Sequence, residues 1–357
     1  MRYSPVYDTW TAICEKRAAR PKDYEEVPRM APAASAVHIS QPGCPFCEGN
    51  EYETPGEVDV LLSSSVSKNT SDSELDRYRK PNSSGWMIRA VPNRFPFLEA
   101  DPEHTLQHFG PHIAMPNTGK QEVLVEVPFH EKQLAALNGE EFQYLIHFCH
   151  RRIRQLQKEK KWRYVQFFKN QGPAAGASLE HLHSQIAALR SIPPSVCTEQ
   201  TFLTDYAQKN GTCWHCEVLK YELAEKWRLV EETAYFAVFC PFASRFAGEI
   251  HIVPKRHVPC FIQSRREELD DLAEVLQSTL RKLEKTLSGC DFNLVLRTSP
   301  WTPTVSGMSA DENFHWRLEI CPRITRQAGF ELGTGCFVNP IAPETMAAAL
   351  FSGKKLA

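Results

Sequence analysis

Apolar residues recur at spacings of three and four in two stretches. Phe142, Leu145, Ile146, Cys149, Ile153 and Leu156 form one stripe. Leu269, Leu272, Val275, Leu276, Leu280, Leu283 and Leu287 form the other. Each predicts an amphipathic helix with a charged outer face. Outside them the pattern turns to short apolar or alternating runs rich in β-branched and aromatic residues, which predict strands. "WMIRAVPNRFPF" (86–97) and "YFAVFCPFASRF" (235–246) are extended segments running into a proline-rich turn. "EVLVEVPFH" and "EIHIVPKRH" are strand-like and end at His130 and His257.

The order of these elements repeats. In each portion a C-x-x-C pair precedes the extended segment, and a strand follows the helix: "YVQFFKN" (164–170) or "FNLVLRT" (292–298). A loop then leads to a histidine-bearing strand, "HLHSQIAAL" from His181 or "HWRLEICPR" from His315. The reading is an α+β protein of two like halves, residues 1–200 and 201–357, each a mostly antiparallel sheet with one long helix. Residues 186–212, with Pro193 and Pro194, read as the linker. The serine-rich stretch 61–85 reads as a mobile surface loop.

Composition narrows the partners. The 357 residues are 42% hydrophobic and 24% charged, with a formal net charge of −2. That is ordinary for a soluble protein and provides no broad basic field for nucleic acid. No run approaches the roughly 18 apolar residues of a membrane span, and the N-terminus has no signal-like apolar core. The expected compartment is the cytoplasm, where the twelve cysteines would stay unpaired.

Four of those cysteines join four histidines in two matching sets: Cys44, Cys47, His130 and His181; Cys213, Cys216, His257 and His315. Two thiolates and two imidazoles suit tetrahedral zinc in a closed, structural site, which implies two zinc ions per chain. His215, inside the second C-x-x-C, is a competing ligand. His38, His104, His108, His112, His147, His150 and His251 fit no such pattern and read as surface or satisfied polar groups.

His183 differs. It lies two residues beyond His181, about 7 Å along a strand and on the same face. Arg317 stands at the matching place after His315. An isolated H-x-H reads first as a buried structural pair. The preceding loop, with Gly172, Gly176 and Ser178, and Gln185 two residues on, change that reading. Glycines let phosphate oxygens approach backbone N–H groups, and Gln185 supplies an amide donor. A neutral imidazole can attack phosphorus directly. Arg17 and Arg20, in "RAARP", are forked donors suited to phosphate.

"RAARP", "CPFC", "VPNRFPF", "KNQGPAAGAS" and "HLHSQ" together resemble the galactose-1-phosphate uridylyltransferase family of the histidine-triad superfamily, in order and over nearly the whole chain. The resemblance implies two histidine-triad-like halves and ping-pong transfer of a nucleoside monophosphate through a histidine, which by motif is His183. It implies that Gln185 holds phosphoryl oxygens, that Asn170 and Ser178 contact the phosphates, that Asn93 contacts the nucleotide, and that the protein is a homodimer. Three features depart from the usual pattern. Leu182 and Ser184 replace the proline and glycine of "HPHGQ", Glu319 and Cys321 replace two histidines of H-W-x-x-H-x-H, and residues 328–340 replace the usual sugar-recognition segment. These departures are similar to a branch that includes ADP-glucose phosphorylases.

The expected activity is nucleotidyl transfer between a nucleotide sugar, UDP-glucose, and a hexose 1-phosphate. The alternatives are ADP-glucose-phosphorylase-like adenylyl transfer to phosphate, hydrolysis of the histidine-triad type, and a non-catalytic zinc-stabilised nucleotide binder.

Overall fold

The computed structural model describes residues 1–19, 40–63, 80–100, 105–304 and 307–356. The chain opens with a hairpin, β1 (Arg2–Ser4) and β2 (Thr9–Ile13). Next come β3 (Asp59–Leu62), β4 (Trp86–Pro92) and an exposed hairpin, β5 (Gln107–Phe109) with β6 (His112–Ala114). β7 (Gly119–Val125), helix α1 (Gly139–Lys158), β8 (Tyr164–Gln171) and β9 (His183–Leu189) complete the N-terminal portion. Helices α2 (Pro194–Asn210) and α3 (Trp214–Glu225) lead to β10 (Leu229–Glu232), β11 (Phe236–Phe239) and β12 (Ile250–Pro254). Helix α4 (Arg266–Leu287), β13 (Phe292–Arg297), a hairpin of β14 (Trp301–Thr304) and β15 (Gly307–Ala310), and β16 (Arg317–Pro322) follow. The chain ends in α5 (Gly329–Thr334), β17 (Phe337–Asn339) and α6 (Pro343–Ser352).

The α+β expectation is what the structure has. The two portions do not form separate sheets. They merge into one ten-stranded sheet of order β10-β11-β12-β16-β13-β8-β9-β7-β4-β3, to which each contributes five strands. Every neighbouring pair in it is antiparallel. The join is the pairing of β8 with β13, where Asn293 lies opposite Asn170 and Val295 opposite Phe168.

Helices α1 and α4 lie side by side on one face of this sheet. Both predicted apolar stripes are buried there in full, against Leu124, Phe167, Ile186 and Leu318. A capping box starts α1: the Asn138 side chain accepts from the Glu141 N–H, and Glu141 accepts from the Asn138 N–H. The opposite face is covered only in patches. The Cys44–Cys47 turn packs near its β4 end and α3 near its β11 end. Between them α2 and the N-terminal hairpin loop bury Val196, Leu203, Val6 and Tyr164.

The linker read at residues 186–212 is corrected here. β9 runs through Leu189, and α2 starts at Pro194. Proline at the first turn of a helix loses no intrahelical hydrogen bond, so Pro193–Pro194 opens a helix as readily as it marks a linker. The boundary drawn between residues 200 and 201 falls inside α2. Of the serine-rich stretch, Leu61 and Leu62 belong to β3, and residues 64–79 lie outside the described residues.

α2 is tied to the sheet by charge. Buried Glu199 accepts from Arg317 Nη1 at 2.6 Å and from Arg297 Nη2 at 2.5 Å. The two guanidinium groups hold the Glu199 carboxyl well below the usual carboxylate range, against the opposing effect of burial. Removing one partner of a buried ion pair strands the other charge at a cost of about 3–5 kcal/mol. Glu199→Ala is therefore expected to lose stability of that order in denaturant melts. A change within error would show that the network contributes nothing.

Candidate active site and metal sites

Cys44-Pro-Phe-Cys47 forms a turn closed by the Cys47 N–H on Cys44 O at 3.3 Å, with Pro45 at the position that favours it. His181 Nδ1 lies 3.5 Å from each sulfur, and His130 Nδ1 lies 3.7 Å from Cys47 Sγ. The second set is built differently. Cys213 is the N-cap of α3 and Cys216 sits in its first turn, with His257 and His315 Nδ1 at 3.4 and 3.6 Å from Cys216 Sγ. In each set the four donor atoms lie within 4.8 Å of one another. A tetrahedral ion with Zn–S and Zn–N bonds of usual length sets sulfur and nitrogen roughly 3.5 Å apart, so both sets fit a metal without rearrangement.

Backbone carbonyls choose the ligating nitrogen. His181 Nε2 donates to Val127 O at 2.9 Å, His315 Nε2 to Pro254 O at 2.9 Å, and His257 Nε2 to Glu312 O at 2.8 Å. A carbonyl can only accept, so each Nε2 carries the proton and each Nδ1 keeps its lone pair facing the cluster, where it could serve a metal. Burial lowers the His181 pKa to about 4, the neutral state that ligation needs. His215 is no competitor: its Nε2 faces Arg317 Nη1 at 3.2 Å, away from the set.

The strand expectations shift slightly. His130 and His257 stand in irregular segments beyond β7 and β12, and His181 and His315 just precede β9 and β16. Irregular segments rather than strands carry these histidines because a ladder holds side chains perpendicular to the sheet, whereas the four donors of each cluster converge on one point.

His183 is the first residue of β9, 7% exposed, with the Phe46 ring 5.3 Å away. Its Nδ1 lies 2.8 Å from His181 O. By the same logic Nδ1 is protonated, and the free lone pair is on Nε2. The adjacent histidines are thus opposite tautomers. Burial, and after it the Lys169 ammonium, hold the His183 imidazole below its ordinary pKa. Lys169 Nζ donates to His183 O at 2.9 Å and to Glu126 at 2.7 Å, and Glu126 also accepts from Ser184. This buried trio braces the His183 backbone from the helix side.

Around His183, amide groups turn their N–H ends outward. Gln185 Oε1 accepts from Gln121 Nε2 at 2.7 Å and Asn93 Nδ2 at 3.5 Å, which leaves its own amide free to donate. Asn93 Oδ1 accepts the Phe95 N–H at 2.9 Å. Asn170 Oδ1 accepts from Asn293 Nδ2 at 2.8 Å, leaving Asn170 Nδ2 free. The Gly172–Gly176 turn follows, with φ of +83° and +85° at its two glycines. Ser178, beyond it, is exposed and its hydroxyl has no partner among the described residues.

His183, Gln185, Asn93, Asn170, Gly176 and Ser178 thus gather at one end of β8 and β9. Arg17 does not join them: it is exposed in a short helical turn after β2. Arg20 lies outside the described residues. Missing from the sequence reading were Asn293, Asp291, Gln121 and the Lys169–Glu126 pair. Alternation along 292–298 signals that Asn293 shares a face with Val295 and Arg297; nothing in it signals β8 as the neighbour.

In the other portion Arg317 and Glu319 occupy the places of His183 and Gln185. Arg317 Nη2 donates to the Tyr7 hydroxyl at 2.9 Å, and Tyr7 donates to Glu319. Glu249, His251 and Glu319 bring donors within 4.8 Å of one another. Arg245 bonds Glu249 at 2.6 Å and Glu319 at 2.9 Å, so a guanidinium stands where a cation would bind.

A doubled unit of antiparallel strands and one long helix, with H-x-H-x-Q at a strand start, defines the histidine-triad class. A family described as a domain of unknown function, DUF4921, matches residues 121–353. ADP-glucose phosphorylase of Arabidopsis thaliana is 31% identical over 97% of this chain and 91% of that protein. Galactose-1-phosphate uridylyltransferase of Thermotoga maritima is 27% identical over 98% and 97%. The crystal structure of the Arabidopsis ADP-glucose phosphorylase with bound ADP-glucose is similar at TM-score 0.76 and 29% identity, covering 100% of this chain and 98% of that one. A uridylyltransferase structure is similar at TM-score 0.72 and 27% identity, covering 89% and 94%. The chain belongs to the galactose-1-phosphate uridylyltransferase family, in a branch similar to ADP-glucose phosphorylase.

Gly172 offers a test of the loop. A Cβ there would lie 2.0 Å from Asp291 Oδ1, and its φ of +83° with ψ of 161° suits glycine alone. Gly172→Ala is expected to cost about 1–3 kcal/mol in chemical denaturation. Measured against Asp291→Ala alone, which already lacks the Asp291–Ala174 hydrogen bond, adding Gly172→Ala should cost only the backbone part. No cost in that background would show that backbone conformation is irrelevant.

Proposed function

We propose that the chain is a nucleotidyltransferase that moves a nucleoside monophosphate from a nucleotide sugar to a phosphate-bearing acceptor through a covalent nucleotidyl-His183. The observation that carries this is the bond between His183 Nδ1 and His181 O, which leaves the Nε2 of a buried imidazole free beside outward-turned amides. In the first half-reaction Nε2 attacks the α-phosphorus. The N–P bond forms, the P–O bond to the distal phosphate breaks, and the sugar 1-phosphate departs with the electron pair. In the second, an acceptor phosphate oxygen attacks the same phosphorus, the N–P bond breaks, and Nε2 regains its lone pair. Gln185, Asn170, Ser178 and the Gly176 turn supply donors to the phosphoryl oxygens, and Asn93 contacts the nucleotide. A binder without turnover would have no use for a nucleophile held in this tautomer.

The first test is covalent labelling. Denatured protein is expected to carry acid-labile label after incubation with a nucleotide sugar labelled in its nucleotide, and His183→Gly is expected to carry none. Equal labelling of the variant would overturn the mechanism. Two readings of the nucleotide have support. The 31% likeness to ADP-glucose phosphorylase favours ADP-glucose with phosphate as acceptor; the 27% likeness to a uridylyltransferase favours UDP-glucose with a hexose 1-phosphate. Comparing the two donors, each with both acceptors, decides between them. Release of monophosphate without any acceptor would instead identify a hydrolase.

We also infer zinc at both Cys/His sets, two per chain, supported by their donor chemistry and spacing. Cys44, Cys47, His130 and His181 would hold one ion, and Cys213, Cys216, His257 and His315 the other. With four protein ligands each, the ions would supply structural cross-links. Removing them is expected to lower the melting temperature, because such binding is coupled to folding. Far fewer than two zinc per chain by elemental analysis, or unchanged melting after verified removal, would refute this.

A further inference from the structure

Beside the His183 end of the sheet, on the same open face, lies a cavity of about 320 Å³ lined by residues of both portions, including Phe168, Asn170, Asn293, Arg245, Arg297 and Arg323. Register fixes its relation to the nucleophile. Phe168 pairs with Gln185, so Asn170, two residues on, shares a row and a face with His183, two residues back. Asn293 is opposite Asn170, and Cys321 is opposite Asn293. His183, Asn170 and Asn293 therefore stand on successive strands, roughly 4.8 Å apart each. Arg323 follows Cys321 and leans back over this row, its Nε donating to Asn293 Oδ1.

The three arginines of the cavity differ in what they hold. Arg245 is bound by Glu249 and Glu319, and Arg297 by Glu199. Arg323 has no carboxylate partner among the described residues. It is half-buried, its guanidinium rests 4.7 Å from the centre of the Phe246 ring, and Nε is its one bonded nitrogen there. The terminal fork of the guanidinium is left for another acceptor. Asn293 completes the arrangement: its Nδ2 donates to Asn170 Oδ1 and to Ala175 O, both at 2.8 Å, while its Oδ1 receives Arg323. One side chain thus aligns the Asn170 amide, the glycine turn and Arg323 together.

We propose that Arg323 binds the distal phosphate of the substrate, with Asn293 as the positioning residue that holds it there. The proposal rests on the nucleotidyl-transfer reading above. In the donor this phosphate is the one bonded to the sugar; in the return step it is the phosphate of the acceptor. A guanidinium fork suits a phosphate dianion bidentately, and its fixed charge also favours the negative charge that builds on the leaving oxygen. The α-phosphate, bound at His183, Gln185 and Asn170, lies short of Arg323 along the row.

That separation supplies the test. Binding of nucleoside monophosphates (AMP, UMP) and diphosphates (ADP, UDP) is measured by calorimetry for the full-length parent, Arg323→Gln and Arg323→Lys, each checked for parental melting and zinc content. The expected result is monophosphate affinity within about two-fold of the parent and diphosphate affinity lower by roughly 10- to 100-fold in Arg323→Gln, since a charge-assisted bond is lost. Arg323→Lys, which keeps the charge and loses the fork, should fall between. In turnover, Arg323→Gln should raise the KM for the acceptor phosphate. Parental diphosphate affinity in Arg323→Gln overturns the proposal. Equal loss of mono- and diphosphate also overturns it, as the mark of a structural role. If the parent itself binds no nucleotide, the nucleotidyl-transfer reading fails, and this inference with it.

Discussion

The pairing of β8 with β13 is the contact on which the rest depends. It turns two five-stranded units into one sheet and puts Asn293 opposite Asn170. Without that seam, the Asn170 amide would lack the acceptor-side bond that turns its N–H outward. The glycine turn would lose two supports from the C-terminal portion: Asp291, which accepts the Ala174 N–H at 2.6 Å, and Asn293, which bonds Ala175 O. The glycine turn of one portion is thus shaped by a strand of the other. The candidate site belongs to the whole sheet, though His183 comes from one portion.

A second constraint acts on the imidazoles. His181 and His183 are separated by one residue, yet present different nitrogens. His181 donates from Nε2 to a carbonyl beyond the end of β7, and His183 donates from Nδ1 to the carbonyl of His181 itself. His181 thereby fixes the tautomer of His183. Anything that anchors the His181 backbone also steers the His183 lone pair, and the Cys44–Cys47 turn with its sulfurs is such an anchor. Lys169 braces the His183 carbonyl from behind. A Cys/His cluster and an ion pair on opposite faces of the sheet therefore act on the His183 residue together.

Much of this was legible in the chain. The two apolar stripes marked both helices, because a helix on a sheet buries one face at a period near 3.6. The eight cysteines and histidines of the two clusters were legible because the arrangement occurs twice, which chance spacing does not produce. The asymmetry between His183 and Arg317 was legible for the same reason. What escaped notice depends on strand neighbours far apart in sequence. Asn293 is an unremarkable residue in "FNLVLRT" until the register sets it against Asn170. Pro193–Pro194 looked like a linker because proline signals a helix start and a chain break alike, and the buried ties of Glu199 that favour the helix lie in β13 and β16. Gln121 and the Lys169–Glu126 pair were invisible for a like reason, since the groups that satisfy them are on other strands.

The same open face is used in two ways. On the β9 side it stays accessible, lined by amides with donors to spare. On the β16 side every corresponding place is filled: Arg317 is buried between Glu199, Glu319 and Tyr7, and Arg245 closes over the Tyr7 ring at 3.7 Å. Buried charges of this density are stable only when each is paired, so the closed side has little capacity left for a ligand. Arg323 stands at the border between the two, held by a neutral amide where its neighbours hold carboxylates. One half of the sheet is saturated and the other keeps unspent donors, and Arg323 is the guanidinium on the border between them whose terminal fork has no partner among the described residues.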